Sequence, residues 1–208
     1  MKVTKFIHAC LLIEERDLKV LIDPGEYSFS EKALEVDKLP VLDYILITHE
    51  HADHMSISGI KQILQEFPKV KIITNPSAGG ILKEQGIEVS QELPDFIKIK
   101  EVPHEEIPFG VVPENFQFDL FNKLTDPGDS HSFTESQDIL ALPVQAPWGS
   151  TTQAVAASLK VKPKVILPIH DWHWNEEARE GMYKRLEIFF KDQGIRFIPL
   201  TTGEPVEI

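Results

Sequence analysis

The segment 41–54 constrains the fold more than any other part of this 208-residue chain. It opens with VLDYILIT, a mostly apolar and β-branched run that predicts a strand buried on both faces of its sheet. The six residues HEHADH follow directly. Ser56 is then in position to cap a helix whose apolar residues recur at helical spacing as far as Phe67. The sequence thus predicts a cluster of polar side chains held between a buried strand and a capped helix.

Four side chains of this cluster are of types that bind transition metals. His49 and His51 are two apart on an extended segment, so both imidazoles point the same way and can address one ion. Asp53 and His54 fall where the helix starts, so the turned chain can direct them towards a second ion nearby. The alternative is a surface loop rich in histidine, or one imidazole ligand beside three bystanders. The position between strand and helix favours a metal site.

Strands and helices alternate at both ends of the chain, around a β-rich stretch at 96–124. The predicted strands cover residues 2–7, 10–14, 19–22, 41–48, 70–74, 138–144, 164–169 and 195–200, and the predicted helices cover 57–67, 77–85, 151–160 and 176–192. We therefore expect an α+β fold of two mixed sheets packed together with helices outside, a four-layer αββα sandwich. Without a linker or repeat in the sequence, residues 1–208 are expected to form one domain.

The composition disfavours several classes of partner. A net charge of −12 argues against nucleic acid, because such binding needs a basic face. Two bound divalent cations would add four local positive charges, so an anionic small-molecule substrate could still be attracted to a local cleft. The chain has neither a long uncharged apolar run nor an N-terminal segment like a signal peptide, so we expect a cytoplasmic protein without membrane association.

The segment 48–54, THEHADH, matches the HxHxDH signature of the metallo-β-lactamase superfamily. The order of features along essentially the whole chain also resembles the small metal-dependent hydrolases related to L-ascorbate-6-phosphate lactonase. Three further segments carry this resemblance: His8 before an apolar strand, the turn at 22–25 (IDPG), and the late strand end at 168–170 (PIH). The resemblance implies the metallo-β-lactamase fold and a hydrolase that uses two metal ions.

Residue by residue, the resemblance implies two metal sites bridged by one carboxylate, that of Asp129. The implied ligands are His49, His51 and a third histidine for the first ion, and Asp53, His54 and His170 for the second. Asp53 is also expected to relay a proton during catalysis. Imidazole and carboxylate ligands suit zinc, manganese or iron, and zinc is our first expectation for both divalent ions.

The third histidine of the first site has two candidates. His104 follows the predicted strand at 96–100 in about the right place, but it lacks the glycine or small residues that family members usually show beside this ligand. His131 lies only two residues after Asp129 and is the competitor. We predict that His104 is the ligand and that His131 lines the cleft.

Four further residues have a predicted role near the metals and a simpler alternative. Asp23 would accept a hydrogen bond from a ligating imidazole, or it only forms the turn before Pro-Gly. His8 would face the cleft, or it packs in the core. Trp148 and Trp172 would form an apolar wall for a substrate, or they pack against helices.

Residues and resemblance together predict an enzyme, a binuclear metal-dependent hydrolase. A hydroxide that bridges the two ions would attack a small ester, lactone or phosphodiester. One alternative is a phosphodiesterase or nuclease, which the acidity and the lack of room for an inserted nucleic-acid-binding domain disfavour. The other is a non-catalytic metal-binding module that retains the fold. Such a module would be expected to have lost ligands, whereas only the third histidine is ambiguous here.

Overall fold

Two six-stranded mixed sheets make up the centre of the computed structural model, which describes residues 1–108 and 110–208. The strands are β1 (Lys2–Lys5), β2 (Leu11–Glu15), β3 (Leu18–Ile22), β4 (Tyr44–Ile47), β5 (Lys71–Thr74), β6 (Ile97–Glu101), β7 (Phe116–Leu120), β8 (Leu124–Asp126), β9 (Ile139–Pro143), β10 (Val165–Ile169), β11 (Arg196–Phe197) and β12 (Pro205–Glu207). The helices are α1 (Glu26–Ser30), α2 (Ile57–Glu66), α3 (Pro76–Glu84), α4 (Thr151–Val161) and α5 (Glu176–Asp192), with a short 3-10 turn at Val36–Lys38.

The two sheets have similar plans. The first has the order β12-β1-β2-β3-β4-β5, and the second has the order β11-β10-β9-β8-β7-β6. In each sheet an antiparallel set at one side, β12 to β3 or β6 to β8, continues into parallel strands at the other. The parallel strands β4, β5, β9 and β10 all end at the same edge of the molecule. The polar segments that follow these strands therefore begin at that edge.

Side-chain alternation along the strands produces three apolar layers. In β2, Leu11 and Ile13 face the second sheet, whereas Leu12 faces the helices on the outside. In the second sheet, Leu140 and Ile166 pack against α4 and α5 in the same way. One layer between the sheets and one beneath each set of helices give the predicted αββα order, and the fold prediction is confirmed.

Capping side chains start the helices close to where the sequence predicts. Ser56 accepts a hydrogen bond from the Gly59 amide at 3.1 Å and so begins α2. Asn75 caps α3 by accepting from Ala78, so that this helix begins at Pro76, one residue before the prediction. These caps fix the direction in which the chain leaves β4 and β5.

Some element boundaries differ from the predictions. The strand predicted at 41–48 is limited to Tyr44–Ile47, and Val41 is 74% exposed in the connection before it. The strand predicted at 195–200 covers only Arg196–Phe197, because Pro199 has no amide hydrogen to continue the ladder. The short α1 and β12 were not predicted. In the described part of the chain, no helix has the length and hydropathy needed to cross a membrane.

Candidate metal centre

Side chains able to bind metal gather where strands of both sheets end. The HEHADH segment follows β4, and His170 directly follows β10. Asp129 lies three residues after the end of β8, and His104 lies three residues after β6. Because neighbouring parallel strands end at the same edge of a sheet, residues distant in sequence meet there.

The structure sorts these side chains into two groups. The first group contains His49, His51, His104 and Asp129, and the second contains His8, Asp53, His54 and His170. Within each group, one potential ligand atom per residue lies within 4.8 Å of all the others. Since zinc binds nitrogen and oxygen ligands at about 2 Å, small side-chain movements would close each group around one ion.

The Asp129 carboxylate lies between the two groups. Its Oδ1 atom is 3.1 Å from His54 Nε2, and its Oδ2 atom is 3.2 Å from His170 Nε2, both in the second group. The same Oδ2 atom is 3.5 Å from His104 Nε2 and 3.8 Å from His49 Nε2, in the first group. One carboxylate therefore contacts ligand atoms of both groups, as a bridging ligand must.

The donor atoms of this centre fit metal ions. Among the described residues, Nε2 of His54, His104 and His170 and Oδ1 of Asp129 are buried without a hydrogen-bond partner, despite the short distances between them. Buried polar atoms are normally paired, so four unpaired atoms facing one space need an explanation. Imidazole nitrogens and a carboxylate oxygen are a donor set that transition-metal ions prefer.

Hydrogen bonds on the outer side of the rings fix the histidine tautomers. His54 Nδ1 is 2.7 Å from Asp23 Oδ2, and His170 Nδ1 is 2.7 Å from the Gln145 carbonyl oxygen. His104 Nδ1 is 2.6 Å from the carbonyl oxygen of the next residue. Each Nδ1 donates a proton outward, so Nε2 is the ring atom directed into the centre, where its lone pair would bind an ion.

Asp23 connects the two groups from behind. Its carboxylate is fully buried and accepts hydrogen bonds from the Thr48 amide and hydroxyl, both at 2.7 Å, as well as from His54. The Thr48 hydroxyl, which has donated its proton to Asp23, accepts from His49 Nδ1 at 3.0 Å. The geometry is that of the predicted outer hydrogen bond. Thr48 was not singled out from the sequence, although it occupies the strand end next to His49.

The turn after Asp23 holds the HEHADH segment in place. A Cβ atom on Gly25 would lie 1.8 Å from the Asp53 carbonyl oxygen, so only glycine fits this approach. The Glu26 amide donates to the Ala52 carbonyl at 2.7 Å. The sequence IDPG is therefore needed for backbone contact with the ligand loop as well as for the turn itself.

His8 makes a different contact from the other histidines. Its Nε2 atom lies 3.1 Å from Asp53 Oδ2 with the geometry of a hydrogen bond, and its Nδ1 atom accepts from the Trp172 amide at 3.4 Å. Burial, helped by the nearby His170, lowers the pKa of His8 to about 3, so the ring is neutral. The single ring proton is then on Nε2 and is donated to Asp53. This arrangement makes His8 an orienting partner of Asp53.

The carboxylates create a strongly negative potential at the centre. Burial alone would lower the pKa of His170, but Asp129 outweighs burial and raises it to about 9. Burial also lowers the pKa of His54, but Asp129 and Asp23 outweigh this effect and raise the pKa well above its ordinary value. A potential that favours imidazolium also favours bound cations.

One known protein family matches most of the chain. Residues 2–170 match the family model described as the beta-lactamase superfamily domain. The chain belongs to the beta-lactamase superfamily.

Relatives of this superfamily member cover most of its length. It is 31% identical to protein Rv0786c of Mycobacterium tuberculosis, over 89% of this chain and 91% of the relative. It is 27% identical to the UPF0173 metal-dependent hydrolase of Carboxydothermus hydrogenoformans, over 84% of this chain and 86% of the relative. Among solved structures, the metallo-beta-lactamase fold protein YhfI from Bacillus subtilis has a TM-score of 0.73 at 15% identity, covering 100% of this chain and 99% of that one. The predicted superfamily is confirmed, whereas the resemblance to the lactonase branch stays a prediction.

In this superfamily member, the structure brings His104 and not His131 into the first group. His131 Nε2 donates to the Pro143 carbonyl at 2.8 Å, and its ring lies 5.0 Å from that of Trp148. His131 is not among the described residues that line the cleft, and its role near the metals stays a prediction. It packs behind Trp148, whose Nε1 donates to Asp129 Oδ2 at 2.8 Å.

A cleft of about 560 Å³ opens over both groups. Trp148 lines it, together with His51, Asp53, Asp129 and His170. Trp172 is not among the described lining residues, but its ring stacks on Tyr27, another lining residue, at 3.9 Å and 9°. The two tryptophans therefore belong to the walls around the candidate metal centre, one directly and one as support.

Proposed function

We propose that this chain is a hydrolase that uses two divalent metal ions to cleave a small ester, lactone or phosphodiester. The observation that carries the proposal is the Asp129 carboxylate, which contacts unpaired imidazole nitrogens of both groups. The class of enzyme agrees with the name of the Carboxydothermus hydrogenoformans relative, a metal-dependent hydrolase.

Each group would hold one ion, with Asp129 shared between them. The first ion would be held by His49 Nε2, His51 Nδ1 and His104 Nε2, of which the first two atoms are 3.2 Å apart. The second would be held by Asp53, His54 and His170. His8 is part of the second group by distance, but its Nε2 proton is already directed at Asp53.

When bound, two divalent ions lower the pKa of water to about 7 and polarise the oxygen of the bond to be cleaved. The protein's own residues position the substrate and accept the proton. Asp53 is the ligand-type carboxylate most open to the cleft, with a side chain 23% exposed, and the His8 hydrogen bond fixes its Oδ2 atom. Asp53 can therefore take a proton from the attacking water and pass it to the leaving group.

Three single variants test the proposed ligands. After loading with zinc or manganese and dialysis, His51→Ala and His104→Ala are each expected to lose the ion of the first site. Metal-dependent hydrolysis in a screen of generic esters, lactones and phosphodiesters should then fall to the rate measured with a chelator. His131→Ala is the matched control, because it removes a neighbouring imidazole whose Nε2 already pairs with Pro143.

Elemental analysis of the three variants, beside the wild-type protein, is the deciding measurement. His131→Ala is expected to keep both ions. If His131→Ala loses an ion and His104→Ala keeps both, the ligand of the first site is His131 and not His104. Metal-independent hydrolysis by the wild-type protein would contradict the proposed function itself.

A further inference from the structure

The cleft above the candidate metal centre has apolar walls. The described residues that line it include aromatic and aliphatic side chains from three separate segments of the chain, namely Tyr27, Ile107, Pro108, Val111, Pro147 and Trp148. Val111 is 87% exposed. Exposed apolar side chains at the entrance of a concave site are typical of surfaces that meet an apolar ligand.

The described lining of the same cleft contains no lysine or arginine. The charged groups among these residues, other than imidazoles, are the carboxylates of Glu26, Asp53 and Asp129. Phosphate groups in binding sites usually pair with arginine, lysine or free backbone amides. Two divalent ions would be largely neutralised by Asp53, Asp129 and the buried Asp23 behind them. The described lining residues therefore offer no lysine or arginine to a phosphate held away from the reacting bond.

The aromatic walls are held rigidly before any ligand arrives. Tyr27 is stacked on Trp172 at 3.9 Å, and its edge meets the His8 ring at 5.3 Å. Trp148 is fixed by its hydrogen bond to Asp129 and by the His131 ring. Rigid aromatic surfaces bind apolar groups well, because little conformational entropy is lost on binding.

We infer that the substrate is an uncharged carboxylic ester or lactone that carries an aromatic or branched apolar group. This inference rests on the proposed hydrolase function and specifies its substrate class. The apolar group lies against Tyr27 and Trp148, and the ester carbonyl lies over the metal ligands. In the reaction, water oxygen bonds to the acyl carbon and the acyl–oxygen bond breaks. One water proton goes to the leaving alkoxide, and the acid is released as carboxylate and a proton.

Three lactones with six-membered rings test the substrate class. Dihydrocoumarin carries a fused benzene ring, D-glucono-δ-lactone carries hydroxyl groups, and its 6-phosphate carries a dianion in addition. One methylene in an apolar pocket changes kcat/KM by roughly 10- to 200-fold, so dihydrocoumarin should exceed the hydroxylated lactone by at least about 100-fold. The phosphorylated lactone should be the poorest. All rates are corrected for spontaneous hydrolysis and measured with the metal-loaded protein.

A pair of lysine variants tests the charge argument on the same substrates. Val111→Lys places a cation in the cleft wall and should raise kcat/KM for the phosphorylated lactone about fivefold while lowering it for dihydrocoumarin. Val112→Lys is the matched control, because it adds the same charge one residue outside the described lining. In Val112→Lys, the ratio of kcat/KM for the phosphorylated lactone to kcat/KM for dihydrocoumarin should equal the ratio in the wild-type protein.

The outcomes separate this inference from the function on which it rests. Equal or faster hydrolysis of the sugar lactones, or no change of the ratio in Val111→Lys, would overturn the apolar substrate class and leave a metal-dependent hydrolase. Absence of metal-dependent hydrolysis for every ester, lactone and phosphodiester would overturn the proposed function. If dihydrocoumarin is preferred, and the ratio of the two kcat/KM values changes in Val111→Lys but not in Val112→Lys, the result supports both the substrate class and the proposed function.

Discussion

Asp129→Asn is expected to abolish binding of both metal ions and to lower the rate of hydrolysis by at least about 10³-fold. The asparagine side chain has nearly the same volume but lacks the negative charge that both groups share. In the structure the two carboxylate oxygens lie 3.1–3.8 Å from imidazole nitrogens of His49, His54, His104 and His170. The measurements are the number of ions per chain after dialysis, and kcat/KM for the best ester or lactone.

A second buried carboxylate, at the end of β8 and three residues before Asp129, supplies the matched control. Asp126 belongs to neither group of potential ligands. Burial, with the nearby Asp23, raises the pKa of its carboxyl group and so favours the uncharged form. In Asp126→Asn the amide oxygen can still accept from the Gly128 amide, which lies 3.0 Å from Asp126 Oδ1. We expect this variant to keep both ions. Two ions and an unchanged rate in Asp129→Asn would contradict the shared-ligand geometry.

Asp171→Ala is expected to lower the free energy of unfolding of the metal-free protein by about 3–5 kcal/mol. Asp171 is 1% exposed, and its Oδ1 atom lies 2.7 Å from Nζ of Lys5, which is equally buried. Its Oδ2 atom accepts from the Tyr183 hydroxyl. After the substitution, the Lys5 ammonium would keep only the Pro168 carbonyl, at 3.2 Å. Urea-induced unfolding measures the loss.

A double-mutant cycle distinguishes loss of this ion pair from loss of packing. Lys5→Met removes the buried ammonium, so Asp171→Asn should cost much less in the Lys5→Met background than in the wild-type protein. The asparagine oxygen still accepts the Tyr183 hydroxyl in both backgrounds. Independent, additive costs would show that the pair does not contribute as a unit. Because Asp171 follows His170 directly, the pair also anchors the end of β10 at the metal centre.

Much of the architecture follows from local patterns in the sequence. The apolar run before the HEHADH segment, the cap at Ser56, and the alternating strands and helices after residue 138 all have their predicted type. The short elements could not be predicted. α1 has only five residues, and β12, which starts at Pro205, is recognisable as a strand only by its pairing with β1.

The local metal motif was readable because its spacing alone places the ligands. The third histidine was not, since it comes from an irregular connection between β6 and β7. A backbone hydrogen bond of 3.0 Å from the Glu105 amide to the Asp129 carbonyl brings His104 to the centre. His131 is closer to Asp129 in sequence, but its ring is turned away towards Pro143. Sequence distance was therefore a poor guide to distance in space.

The position of His8 depends on backbone conformations that could not be predicted from the sequence. Ile7 and His8 both have positive φ, at 93° and 53°, although neither is glycine or asparagine. This turn directs the His8 ring towards Asp53, while the His8 carbonyl accepts from the His170 amide at 3.1 Å. The two ends of the candidate site are thus joined through the backbone, a contact that no local pattern indicates.

The number and position of bound metal ions test the central proposal most directly. The purified protein, exposed to zinc or manganese and then dialysed, would be measured by elemental analysis and by anomalous X-ray diffraction from its crystals. We expect two ions per chain, one in each group, with the Asp129 carboxylate between them. One ion or none, or ions located away from His49, His54 and His170, would contradict the proposal.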